Sequence, residues 1–210
     1  MNPEKIKESV NKGCKNFFDK RFELTKCETP NNRRLYVIKG TSWAVNRFDI
    51  PQESVQVLNW FDDFWLYLEI KFSTNTETIR KNVKTFDIHI SLSVFQGEDN
   101  DNEKYQLFRA EWADYNNPDE KRAQPHWHIT SSQAIENTFY KYANSFVRDD
   151  FIQLLENEKQ KVFDVKKIHF AMNGNWANNN MYIHKITDEQ QVAKWLQGVL
   201  SHLRYELGSK

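Results

Sequence analysis

The chain has 210 residues, with 29 basic and 29 acidic side chains, so its formal net charge is zero. A neutral chain has no global field that would draw it to nucleic acid or to an anionic membrane. An aromatic content of 14% and a hydrophobic content of 39% exceed what a disordered chain carries and indicate a folded domain. Two cysteines, no apolar leader and no apolar run of membrane-spanning length favour one cytoplasmic domain over residues 1–210.

The first fifty residues predict one helix and two short strands. Apolar residues at roughly helical spacing predict an N-terminal helix over 3–25. Turn-forming residues occupy 27–34, and the run LYVIKG (35–40) predicts a strand. WAVNRFDI (43–50) suggests a second strand, which runs into a turn or a helix cap near Pro51.

Alternation of apolar and polar residues predicts three strands in the middle of the chain, with the sequences FWLYLEIKFS, FDIHISLSVFQ and YQLFRAEWAD. A shorter run, PHWHITSS (125–132), predicts a fourth strand. Because polar loops separate the runs, residues 64–132 are expected to form a four-stranded antiparallel meander. Within the fourth strand, Trp127 and Ile129 are expected to face the core.

The last third of the chain predicts two helices and a strand. Residues 133–160 have a helical apolar pattern, and IHFAMNGNW (168–176) predicts a strand near 168–173. A helix over 188–207 begins at Thr187 or Asp188 as its N-cap. With sheet regions at 34–132 and 167–173, the expected fold is α+β. Its sheet is mostly antiparallel, and the N-terminal and C-terminal helices pack on it.

Four histidines occupy polar positions of the predicted strands, where they alternate with apolar residues: His89, His126, His128 and His169. Arg109 and Glu111 occupy polar positions in the same way. If the strands are neighbours, these side chains share one surface of the sheet. Imidazoles and a carboxylate suit zinc or another transition metal, and they equally suit proton transfer near neutral pH. The candidate catalytic residues are Glu111, His126, His128 and His169, and the candidate binding residues are Arg109, His89 and Trp176. The ordinary alternative is a partly covered polar face with hydrogen-bonded imidazoles, and the pattern leaves the metal and any cofactor open.

The chain has no GxxxxGK[ST], GxGxxG or GxSxG motif, which excludes those phosphate-binding and nucleophile devices. His89-Ile90-Ser91 and His128-Ile129-Thr130 resemble the His-x-Ser/Thr elements of two-histidine phosphoesterases. That resemblance implies paired imidazoles acting as acid and base on a phosphodiester. An Arg/acid strand followed by a Pro-His-x-His strand also resembles toxins of toxin–antitoxin pairs.

The strings FRAEW (108–112), QPHWHI (124–129) and IHFAMNGNW (168–176) resemble proteins of bacterial defence islands, and among them the small third subunit of Lamassu-type systems. The resemblance covers residues 104–205. It implies a non-catalytic accessory subunit of an anti-phage or anti-plasmid complex, with an SMC-like ATPase and a nuclease as protein partners. Direct nucleic-acid binding stays open. The alternative that the histidines favour is a small metal- or His-dependent hydrolase or ribonuclease toxin.

Overall fold

The structure is a computed structural model, and it describes residues 2–18, 22–27, 34–74, 86–114, 124–129 and 186–208. Several expectations lie outside the described residues. These are the helix over 133–160, the strand near 168–173, His169 and Trp176.

The described residues form two α-helices, a short 3-10 turn and eight strands. In chain order they are α1 (Pro3–Cys14), the 3-10 turn (Lys15–Phe17), β1 (Leu24–Cys27), β2 (Arg34–Ile38), β3 (Ser42–Asn46), β4 (Glu53–Phe61), β5 (Phe64–Thr74), β6 (Phe86–Gln96), β7 (Tyr105–Ala113), β8 (His126–Ile129) and α2 (Glu189–Gly208). This is the predicted α+β architecture, with an antiparallel sheet and a helix from each end of the chain. Within these residues, no helix is both long enough and apolar enough to cross a membrane.

The strands pair in the order β1-β2-β5-β6-β7-β8, and every pair is antiparallel. β5 to β8 are therefore the predicted meander. One edge of β5 pairs with β6 over eleven positions, from Phe64 to Thr74. Its other edge is shared, because β4 pairs with its first residues and β2 with its later ones. The β3–β4 hairpin thereby branches from the sheet.

The meander has an apolar face and a polar face. Apolar partners such as Leu68, Leu92 and Ala110 stand opposite one another on neighbouring strands and are buried. Alternate residues of the same strands form the other side, which we call the polar face. Its members on β5 to β8 are Tyr67, Glu69, Lys71, His89, Ser91, Ser93, Arg109, Glu111, His126 and His128.

The two helices pack on each other and complete the core. Gln197 of α2 donates a hydrogen bond from Nε2 to the Gly13 carbonyl of α1 at 2.8 Å. α1 buries Ile6 and Val10, and α2 buries a stripe that includes Leu196 and Leu200. All of these residues belong to one cluster with the apolar face of the sheet.

The predicted N-terminal helix is too long. α1 ends at Cys14 and the 3-10 turn at Phe17, and the chain is extended again from Leu24. Phe18 and Phe22 follow the helical spacing, but they stack on each other outside any helix, with ring centroids 4.8 Å apart. The two rings are four residues apart, as on one side of a helix, but they are buried by their contact with each other. Their spacing therefore mimics a helical pattern where no helix is present.

β4 was not predicted. The turn or helix cap expected near Pro51 lies in the connection between β3 and β4. The run ESVQVLNWF alternates at Val55 and Val57, but Leu58 and Trp60 are also buried and the ladder with β5 shifts register between Asn59 and Phe61. The irregularity breaks the period of two that identifies a half-buried strand.

β8 forms where it was expected, but its apolar residues are less buried than predicted. Trp127 is half-buried and packs edge-to-face on Phe108, with centroids 5.9 Å apart. Ile129 is 45% exposed, so its predicted position in the core is wrong. In the described part of the chain β8 is an edge strand that pairs only with β7, so its side chains are less covered than those of the inner strands.

The C-terminal helix is confirmed almost to the residue, and Asp188 is its N-cap. Asp188 Oδ1 accepts hydrogen bonds from the backbone N–H groups of Gln190 and Gln191, while Gln191 Oε1 accepts one from the N–H of Thr187. This reciprocal pattern satisfies backbone donors that the first turn leaves without partners. The apolar spacing of this helix also predicts that Trp195 is buried with Leu196, but Trp195 is only half-buried.

A buried lysine joins β3 to the loop before β7. Lys104 is fully buried, and its Nζ donates to Ser42 Oγ at 2.8 Å and to the carbonyls of Trp43, Asp99 and Asp101. The ammonium also lies 4.6 Å from the centroid of the Trp65 ring. Burial lowers the pKa of Lys104, and the charges of Asp101 and Asp99 oppose that shift.

Replacement of Lys104 by methionine is expected to lower the free energy of unfolding by about 1–3 kcal/mol, because buried carbonyls lose a charged donor. Urea unfolding of the two proteins measures the difference. Lys39→Met is the matched control, since Lys39 is exposed, and it should change stability by less than about 0.5 kcal/mol. Equal effects of the two substitutions would contradict a structural role for the Lys104 contacts.

Candidate metal centre

Two rows of side chains cross the polar face from β5 to β8. The strand register aligns one row as Glu69, Ser91, Glu111 and His126, and the neighbouring row as Tyr67, Ser93, Arg109 and His128. Because side chains two residues apart point to the same side of a strand, Arg109 and Glu111 stand beside His128 and His126. The alternation seen in the sequence is thus the reason that these groups meet.

Three ligand-type atoms converge at the β7–β8 end of the rows. His126 Nε2 and His128 Nε2 lie 2.9 Å apart, and His128 Nε2 lies 2.9 Å from Glu111 Oε2. The third side, from His126 Nε2 to Glu111 Oε2, is 3.4 Å. In the described part of the chain, these three residues are the group whose spacing would suit a metal ion. We call them the His/Glu triad.

The second oxygen of Glu111 faces away from the triad. Arg109 Nε lies 3.0 Å from Glu111 Oε1, and His89 Nε2 lies 3.5 Å from the same oxygen. The carboxylate therefore has one oxygen in the triad and the other against a guanidinium. The Oε2 atom is thereby left beside the two imidazoles.

The electrostatics of the triad keep Glu111 ionised. Burial by itself would raise the pKa of Glu111, but hydrogen bonds from His126 and His89 and the charge of Arg109 bring it well below its usual range. Burial lowers the pKa of His128, a shift that the carboxylate of Glu111 opposes and the charge of Arg109 reinforces. The site thus holds an anionic carboxylate, and burial favours the neutral form of His128 beside it.

The connection between β3 and β4 covers one side of the site. Its Asp49 Oδ1 accepts a hydrogen bond from Arg109 NH1 at 2.7 Å, and its Phe48 ring lies 5.4 Å from the Arg109 guanidinium carbon and 5.7 Å from the His128 ring. The start of the connection is fixed to β7, because the Arg47 N–H donates to Gln106 Oε1 at 2.6 Å. The connection thus supplies a third charged group, Asp49, beside Glu111 and Arg109.

Five of the seven candidate residues are brought together: Glu111, His126, His128, Arg109 and His89. His169 and Trp176 lie outside the described residues. Asp49 and Phe48 were not predicted to belong to the site, because they follow β3 in a connection that no periodicity places near β7. The sequence does show that Asp49 is an acidic residue between two apolar neighbours. Its pairing with Arg109 depends on the β3–β4 hairpin, which was not predicted.

The two histidines of the His-x-Ser/Thr elements lie on either side of Glu111. His89 on β6 and His128 on β8 both approach Glu111, from opposite sides of β7, at 3.5 Å from Oε1 and 2.9 Å from Oε2. The carboxylate therefore stands between the two imidazoles. His128 forms its closest imidazole contact with His126, its own strand neighbour, which favours the triad over a His89–His128 pair.

The described residues place three imidazoles, a carboxylate and a guanidinium on one face of an antiparallel sheet. The chemistry of this cluster is inferred from its own geometry. Comparison of the chain with protein-family models, with curated proteins and with solved structures finds no match.

Proposed function

We propose that the His/Glu triad is the metal centre of a small metal-dependent hydrolase. The observation that carries this proposal is the convergence of Glu111 Oε2, His126 Nε2 and His128 Nε2, with separations of 2.9, 2.9 and 3.4 Å. Three ligand atoms from two adjacent strands form this triangle on a sheet, which is a more rigid support than a loop.

The donor set fits zinc and similar transition metals. Atoms at these separations share a point about 2.0–2.1 Å from each of them, which is the distance at which zinc binds imidazole nitrogen and carboxylate oxygen. Two histidines and one glutamate are also a ligand set of catalytic zinc sites, which leave the fourth position open. Structural zinc sites instead use four protein ligands, usually with cysteine. Both cysteines are distant from the triad in the fold, on α1 and β1.

The neighbouring residues support a hydrolytic site. A bound divalent cation polarises an ester oxygen and lowers the pKa of water, which is the activation that hydrolysis requires. Arg109 holds Glu111 through Oε1, so it acts as a positioning residue for the ligand oxygen. His89 is a half-buried imidazole 3.5 Å from Oε1, a position from which it can hold or move a proton.

The test is metal binding by the full chain. Titration of metal-free protein with Zn²⁺ in a calorimeter is expected to show one site, and the double substitution His126→Ala with His128→Ala should weaken that site by at least about 100-fold, since two of three ligands are lost. The melting temperature of the metal-free double variant should fall by less than about 5 °C. Both rings are partly exposed, and 1 kcal/mol corresponds to about 2–4 °C in a chain of this size.

Two single substitutions serve as controls. His202→Ala removes a histidine from α2, away from the triad, and should leave zinc affinity unchanged. His89→Ala removes a neighbour of Glu111 that is outside the triad and should retain the site. Zinc binding that survives the double substitution, or that is lost equally with His202→Ala, would contradict the proposal.

The accessory-subunit role in a cytoplasmic defence complex stays a prediction, as do its SMC-like ATPase and nuclease partners. A non-catalytic subunit does not require a stoichiometric metal on the triad, whereas a metal-dependent hydrolase does. The zinc titration therefore separates the two functions directly.

A further inference from the structure

Arg109 has two carboxylate partners that differ in their surroundings. Glu111 is a neighbour on the same strand and is nearly buried, with 10% of its side chain exposed. Asp49 belongs to the β3–β4 connection, and 38% of its side chain is exposed. The next residue of the connection, Ile50, is fully exposed. Asp49 is therefore the partner that solvent reaches more easily, and its Oδ2 accepts a hydrogen bond from Asn46 Nδ2 of β3 at 2.6 Å, which can hold its backbone in place when Oδ1 leaves Arg109.

Glu111 also sets the distance between Arg109 and the metal position. One carboxylate oxygen belongs to the triad and the other lies 3.0 Å from Arg109 Nε, so a single O–C–O unit spans the metal position and the guanidinium. An oxyanion with two terminal oxygens has a similar span. It can contact the open metal position with one oxygen and accept hydrogen bonds from the guanidinium with another.

The charges around this position favour a doubly charged anion. Once Asp49 is displaced, a divalent cation, the Arg109 guanidinium and the Glu111 carboxylate sum to roughly two positive charges, and a phosphate monoester carries about −1.5 to −2 at neutral pH. Lys71 does not change this sum, because its Nζ is paired with Glu69 Oε1 at 2.7 Å. A carboxylate or a phosphodiester carries one negative charge and leaves the site unbalanced.

We propose that the site takes the terminal phosphate of a phosphate monoester, which binds Arg109 in place of Asp49 and occupies the open metal position. This inference rests on the proposed metal centre. It makes Arg109 the anion-binding residue and Asp49 a competitor that occupies the guanidinium until the substrate arrives.

The experiment titrates the full chain, loaded with Co²⁺, with inorganic phosphate while the visible spectrum of the cobalt is recorded. Phosphate is expected to bind the loaded protein at least about tenfold more tightly than acetate or dimethyl phosphate. Asp49→Asn should tighten phosphate binding by about threefold to tenfold, because the competing carboxylate becomes neutral. Asp62→Asn is the matched control, since it removes one negative charge at the turn between β4 and β5, and should leave the affinity unchanged.

Three results would overturn the inference while leaving the metal centre intact: no phosphate effect on the cobalt spectrum, equal affinity for the singly charged anions, or an Asp49→Asn protein with unchanged phosphate affinity. Phosphate binding of equal strength to the metal-free chain would also overturn it. Failure of Co²⁺ itself to bind would instead reject the metal centre, and the phosphate inference would be rejected with it.

Discussion

Replacing Arg109 by methionine is expected to lower the free energy of unfolding by about 3–5 kcal/mol, because it removes one partner from a buried ion pair. Only 8% of the Arg109 side chain and 10% of the Glu111 side chain are exposed, and their charged atoms lie 3.0 Å apart. Methionine matches the length of the arginine stem without the guanidinium, so the packing of the stem is largely retained. Urea unfolding of the metal-free protein measures the loss, and the linear dependence on urea gives the free energy.

Two further variants separate the charge effect from general disruption. Lys7→Met breaks the partly exposed pair between Lys7 and Glu4 on α1 and should cost less than about 1 kcal/mol. Glu111→Gln in the Arg109→Met background should recover part of the loss, since the buried charge without a partner is then gone. A cost of less than 1 kcal/mol for Arg109→Met, or no coupling with Glu111→Gln, would show that the pair is screened by solvent.

Truncation of Leu196 to alanine is expected to destabilise the protein by about 2–5 kcal/mol, the range for a buried leucine that leaves a cavity. Leu196 is fully buried in α2. Trp195→Ala should cost less, about 1–2 kcal/mol, because that ring lies at the margin of the core and is only partly buried. Its main contact is with Trp112, whose ring centroid is 5.5 Å away in an edge-to-face arrangement.

The order of these two effects is the critical measurement, and chemical denaturation of both variants gives it. Lys194→Ala provides a baseline for helix propensity, since Lys194 is an exposed residue of the same helix. If Trp195→Ala proved more destabilising than Leu196→Ala, the rotation of α2 about its axis would differ from the one described.

The sequence predicts the meander well because its long strands each have one apolar face and one polar face. Phe64 to Phe72 and Ile88 to Val94 alternate without interruption, so period two identifies both the strands and the direction of their side chains. The same rule fails for β4, where a register shift near Trp60 breaks the alternation. The helical period fails in a similar way after Cys14. Phe18 and Phe22 have helical spacing, but they are buried by stacking on each other and not by a helix.

The triad could be predicted for the same reason as the strands. Glu111, His126 and His128 occupy polar positions of two consecutive antiparallel strands, so adjacency and facing follow from the alternation. The role of Asp49 could not be predicted, because its contact with Arg109 joins residues 60 positions apart through a connection without periodic structure. Long-range contacts of loops depend on the complete tertiary fold and leave no local pattern in the sequence.

The packing of α1 against α2 has a consequence for synthesis of the chain. Gly13 and Gln197 are 184 residues apart, so at translation rates of about 5–20 residues per second α1 waits roughly 10–40 s before its partner leaves the ribosome. During that interval α2 does not yet cover the apolar side of α1, which includes Ile6 and Val10. Co-translational folding of this protein therefore stops at an unfinished core, and we expect the nascent chain to depend on holdase chaperones until α2 emerges.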